Sequence, residues 1–130
     1  MGIAYATLEL SNPTRTDLAP ITVEALADTG AMFMCIPEHV QIQLGLVEHE
    51  RREVTLGDGS KRSVPYVGPL RVRFGNRSCF VGAMVLGDQP LLGAIPMEDM
   101  DLVVHPLARR VTVNPASPNF ASGIVKQAAV

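Results

Sequence analysis

Short runs of alternating apolar and polar residues dominate the chain. Ile3–Leu10 alternates with a period of two, which puts successive side chains on opposite faces of a strand. Ser11-Asn12-Pro13 ends it. Residues 14–20 read as a loop. Ile21–Ala27 is a second strand and runs directly into Asp28-Thr29-Gly30. Met32–Ile36 is wholly apolar, the pattern of a short buried strand. Pro37 suits a first helical position and Glu38 the first turn. Val40 and Leu44 share one helical face, and Gly45 stops the helix.

Two hairpins follow. Glu53–Gly57 and Arg62–Val67 flank Asp58-Gly59-Ser60, and Pro69–Phe74 and Ser78–Leu86 flank Gly75-Asn76. Leu91-Leu92-Gly93 is a short apolar strand, and Pro96–Met100 predicts one short helix. Leu102–Val104 and Arg110–Val113 complete the strands. Residues 116–130, rich in Ala, Ser and Pro, read as a partly ordered tail to a domain over 1–115. Many short strands with one or two short helices predict a mostly β fold, a closed or folded-over barrel.

Composition removes several alternatives. The 130 residues suit one domain, and 47% hydrophobic against 18% charged residues excludes a disordered chain. The net charge is -2, and the longest basic clusters are the pairs Arg51-Arg52 and Arg109-Arg110. That argues against a nucleic-acid partner. No apolar run approaches the ~20 residues that span a bilayer. The N-terminus has no cationic stretch before an apolar one, and position 6 is Ala where a myristoylation signal has Ser or Thr. A cytoplasmic protein without a membrane partner is therefore expected.

Cys35 and Cys79 lie in apolar surroundings and read as reduced, packed side chains. His39, His49 and His105 lack metal-ligand spacing, so neither a metal nor another cofactor is expected. Glu98, Asp99 and Asp101 read as a solvated face. Asn76-Arg77-Ser78 matches a glycosylation sequon but reads as a hairpin turn.

The candidate chemistry lies at Asp28-Thr29-Gly30-Ala31. An apolar strand delivers a carboxylate into a tight turn, and a second apolar run follows at once. A carboxylate between buried segments is costly unless it is hydrogen-bonded or functional. Gly30 permits a close turn, and the Thr29 hydroxyl can hold it. By itself the tripeptide also fits an Asx-type turn.

Asp28-Thr29-Gly30-Ala31, followed later by Leu91-Leu92-Gly93 and a short helix, resembles the retropepsin-like aspartic proteases. The bacterial and archaeal single-domain branch is the most similar. The resemblance runs from Ile3 to Pro115 and implies the acid-protease β-barrel as a two-fold homodimer. It implies Asp28 as the catalytic residue, with Thr29, Gly30 and Ala31 completing the active-site turn. Gly57, Asp58 and Gly59 would form a flap that binds substrate. Leu91, Leu92 and Gly93 would support the site, and Ile3–Leu10 and Arg110–Val113 would contribute to the dimer.

A water-activating dyad needs two carboxylates, and one chain offers one Asp-Thr-Gly, so the second Asp28 comes from a second copy. The expected activity is endopeptidase cleavage of a peptide or protein substrate. The alternative is a non-catalytic dimeric β module that binds extended peptides by strand addition.

Overall fold

A computed structural model describes residues 3–125. The Met1-Gly2 portion of the N-terminus, and residues 126–130 of the expected tail, lie outside the described residues.

The chain is mostly β. Its elements are β1 (Ala4–Ser11), β2 (Ile21–Ala27), β3 (Met34–Ile36), α1 (Glu38–Gln43), β4 (Val47–Thr55), β5 (Lys61–Phe74), β6 (Arg77–Val85), β7 (Leu91–Leu92), α2 (Ala94–Asp99), β8 (Leu102–His105) and β9 (Arg110–Val113). Six strands close a barrel in the order β5-β6-β3-β7-β2-β1, with β1 returning to β5. Strand β4 extends the sheet beyond β5, and β9 and β8 extend it beyond β1. One edge of β5 serves two partners, since residues 61–68 pair with β4 and residues 71–73 with β1.

The alternation in β1 is realised in burial. Ala4, Ala6, Leu8 and Leu10 face the core, and the residues between them face out. Leu70, Val72, Ala83, Val85 and Leu92 meet them inside the barrel. Asn12 does more than end β1. It is buried, and its Nδ2 donates to the Leu44 carbonyl at 2.9 Å, occupying an oxygen left open at the end of α1.

Several expectations are corrected. Pro37 is the extended residue capping α1 rather than its first helical residue. The strand expected over Met32–Ile36 is confined to Met34–Ile36, and Met32 is exposed. Strand β4 begins at Val47, not Glu53, and ends at Thr55 rather than Gly57. Its leading half is charged and exposed, and pairing with β5 holds it where burial does not. The two strands expected around Gly68 are one, because Gly68-Pro69 coincides with a register shift that the ladder absorbs. Helix α2 begins at Ala94, two residues before Pro96.

The segment after β9 is tied to the barrel. Arg77 is 2% exposed, and its Nη2 donates to the Ser117 carbonyl and lies 3.9 Å from Asp101 Oδ2. Asp101 accepts from Asn114 Nδ2, Ser117 Oγ and the Ser122 backbone N–H. Asn76 adds a bond to the Pro118 carbonyl. Glu98 and Asp99 are solvated as expected, but Asp101 is not, because it anchors residues 114–122. Those hydrogen bonds, led by Ser117 and Asn114, hold its carboxyl below the ordinary aspartate range.

Among the described residues no helix is long and apolar enough to cross a membrane.

Candidate active site

Asp28 follows the last residue of β2, and the strand's partner carries the ladder past that end. Leu26 and Ala27 pair in parallel with Leu91 and Leu92 of β7, and the Asp28 N–H donates to the Leu92 carbonyl at 3.1 Å. Strand β7 is wedged between β2 and β3, with Leu91 also opposite Cys35. A two-residue strand so placed fixes the backbone on both sides of the turn.

The turn closes on itself. The Ala31 N–H donates to the Asp28 carbonyl at 3.1 Å, and the Gly30 N–H donates to Asp28 Oδ1 at 2.8 Å. The second bond fixes the orientation of the half-buried carboxylate. A Cβ at position 30 would lie 3.1 Å from Oδ1, so Gly30 leaves that oxygen its space.

Helix α2 holds the far side. The N–H groups of Ala94 and Ile95 donate to the carbonyls of Ala31 and Met32 at 2.8 and 3.0 Å. Gly93 brings the backbones together. A Cβ there would fall 2.3 Å from the Phe33 carbonyl oxygen and 2.7 Å from the Met32 carbonyl carbon, too close for any side chain. Both atoms belong to backbone, which cannot swing aside as a side-chain tip can.

Asp28 lines two concavities. One is a cleft of about 500 Å³ between the turn and the β4–β5 hairpin. Glu53–Gly57 form its roof, and Phe33, Cys35, Met84, Leu86 and Leu91 are among its apolar walls. The other is a hollow of about 210 Å³ where Asp28 and Thr29 meet Ile3, Leu26, Val104 and Pro106. Ile3 is half exposed there.

The residues read from the sequence divide between these places. Asp28, Gly30, Ala31, Gly57 and Leu91 border the cleft, and Thr29 borders the hollow. Leu92 is buried behind the turn, and Gly93 is the close contact just described. Asp58 and Gly59 shape the hairpin tip and do not line the cleft. Asp58 Oδ1 accepts from the Ser60 N–H at 2.9 Å and Ser60 Oγ at 2.6 Å, which lowers its pKa, and Gly59 takes a φ of 86°.

The sequence matches no protein-family model and no curated protein.

Sequence reasoning missed the roof residues Glu53–Leu56 and the wall residues Met84 and Leu86, whose positions depend on strand pairing far along the chain. It also placed Cys35 in packed surroundings, whereas this half-buried thiol lines the cleft. Burial raises the Cys35 pKa. It pushes Cys79 up to about 12, with Asp99 adding to the effect. His49 and His105 each hydrogen-bond within a hairpin, to the Gly68 carbonyl and to Thr112 Oγ1.

Proposed function

We propose that the chain is a retropepsin-like aspartic endopeptidase, active as a homodimer with one Asp28 from each copy. One observation carries this reading. A carboxylate oriented by a backbone N–H stands where a hairpin-roofed, largely apolar cleft meets an open apolar hollow. The cleft suits an extended peptide, and the hollow leaves Asp28 and Thr29 open to a second copy.

In the dimer the two carboxylates would share one proton, since like charges at close range resist joint ionisation. The ionised partner takes a proton from water as that water attacks the scissile carbonyl carbon. The protonated partner donates to the carbonyl oxygen. Collapse of the tetrahedral intermediate then returns a proton to the leaving amine. No covalent intermediate with the enzyme forms. The rigid turn supports this chemistry because it fixes the carboxylate before substrate arrives.

The test is Asp28→Asn. The expected result is loss of peptide cleavage by at least about a hundredfold, with fold and dimer retained. Cleavage that survives the substitution removes Asp28 from the mechanism. A second reading has one observation in its favour, since β4 is an edge strand of the sheet and can accept an extended peptide by strand addition. Peptide binding without cleavage by the wild-type protein would select it.

A further inference from the structure

The roof of the cleft leaves the barrel at a definite point. On β5, Tyr66 is the first residue paired with β6, opposite Met84. From Lys61 to Pro65, β5 pairs with β4 alone. This arm is therefore a two-stranded ribbon, marginal by itself, and its height over Asp28 depends on what holds its base.

Arg52 lies at that base, opposite the buried Val64. Its guanidinium carbon sits 3.8 Å from the centroid of the Tyr66 ring and 6.0 Å from that of Phe33. Tyr66 rests on the backbone of Gly82 in β6, where a Cβ would fall 2.0 Å from the tyrosine oxygen. Phe33 belongs to the segment that follows Asp28 and lines the cleft. Glu50 Oε2 accepts from Arg52 Nε at 3.1 Å and steadies the guanidinium. Gly82, Tyr66, Arg52 and Phe33 thus form a column from barrel wall, through roof, to the segment just beyond the active-site turn.

We propose that Arg52 is a positioning residue that ties the hairpin to the Asp28 turn and sets how far the cleft stands open to a peptide. Its consequence for catalysis rests on the peptidase reading, but the clamp itself does not. Arginine suits the role because a planar cation stays charged and can face two rings, whereas an ammonium offers only a point charge. Arg52 touches no reacting atom in this scheme. It acts through the roof.

The experiment compares backbone amide relaxation in wild type, Arg52→Gln, Arg52→Lys and Tyr66→Phe, alongside melting temperature and peptide kinetics. In Arg52→Gln the amides of residues 55–61 should gain motion, with order parameters falling from about 0.85 towards 0.6 or new exchange broadening. Amides of residues 27–31 and the melting temperature should stay close to wild type. Tyr66→Phe keeps the ring and should match wild type, and Arg52→Lys should fall between. With a cleaved peptide, Arg52→Gln should raise KM about tenfold and leave kcat within about threefold. Hairpin amides unchanged in Arg52→Gln overturn the clamp, whatever the kinetics. A fall in kcat with KM unchanged overturns it too. A loosened hairpin in a protein that cleaves no peptide upholds the clamp and counts against the peptidase reading alone.

Discussion

The cleft beside Asp28 has a floor and a roof built on opposite principles. The turn after β2 is fixed by backbone. Its own N–H groups, the β7 ladder and the first amide of α2 bond to it, and Gly93 presses against the Met32–Phe33 backbone just beyond it without room for a methyl group. The roof is a two-stranded arm with an exposed tip, in which Gly57 and Gly59 have nothing within 4 Å of an added Cβ. Under the proposed peptidase reading, the carboxylate gains from being held before substrate binds, whereas a peptide would pass under the roof to reach it. The same residue type, glycine, serves close contact below and turn geometry above.

Substitution at Gly93 should break the floor most severely. Gly93→Val should cost about 3 kcal/mol or more and lower the melting temperature by about 10 °C. A calorimetric scan matching wild type would mean that the backbone contact is not rigid. Gly30→Ala sharpens the same point at lower cost. The added methyl meets Asp28 Oδ1 at 3.1 Å, so cleavage should fall about tenfold through kcat with modest loss of stability. Unchanged kcat would show that the carboxylate can adjust.

The segment after β9 is a third region, held by the Asp101 carboxylate together with Arg77 and Asn76. The folded pKa of Asp101 is depressed, so its contribution is complete above the ordinary aspartate range and is lost as the pH falls through the folded value. Hydrogen exchange at residues 116–122 should therefore lose protection in strong acid while the barrel strands keep theirs. Asp101→Asn should show weak protection at every pH. Equal protection in both proteins at neutral pH would assign the anchoring to other contacts.

The roof should tolerate most. Gly59→Ala meets no neighbour but must adopt a φ of 86°, so it should cost about 1 kcal/mol, read as local loosening of the tip. Gly57→Ala has open space and no positive φ, and its stability should stay within about 0.5 kcal/mol of wild type. A large loss at Gly57 would place the tip in a tighter setting than this fold gives it.

What could be read from the sequence follows the same division. Strand β2 and the Asp28 turn were legible because alternation and turn chemistry are local. The Asp58-Gly59 hairpin was legible for that reason too. The leading half of β4 was not, since Glu48, Glu50, Arg51 and Arg52 carry no burial signal and take their strand geometry from β5. Gly68-Pro69 looked like a break because Gly and Pro usually punctuate strands, and only the register with β6 shows the strand continuing. Asp101 looked solvated because its partners, Arg77, Asn114, Ser117 and Ser122, are distant in sequence. The Arg52 column was hidden likewise, since it joins residues from four separate segments.

In the proposed enzyme one Asp28 is half of a site. Mixing wild type with Asp28→Asn at constant total concentration, after subunits have exchanged, tests it most directly. Hybrids would carry one carboxylate and be inactive, so cleavage should follow the square of the wild-type fraction and fall to about a quarter at an equal mixture. Cleavage that falls only in proportion to the wild-type fraction, to about half at that point, would mean that each chain works alone and would contradict the account.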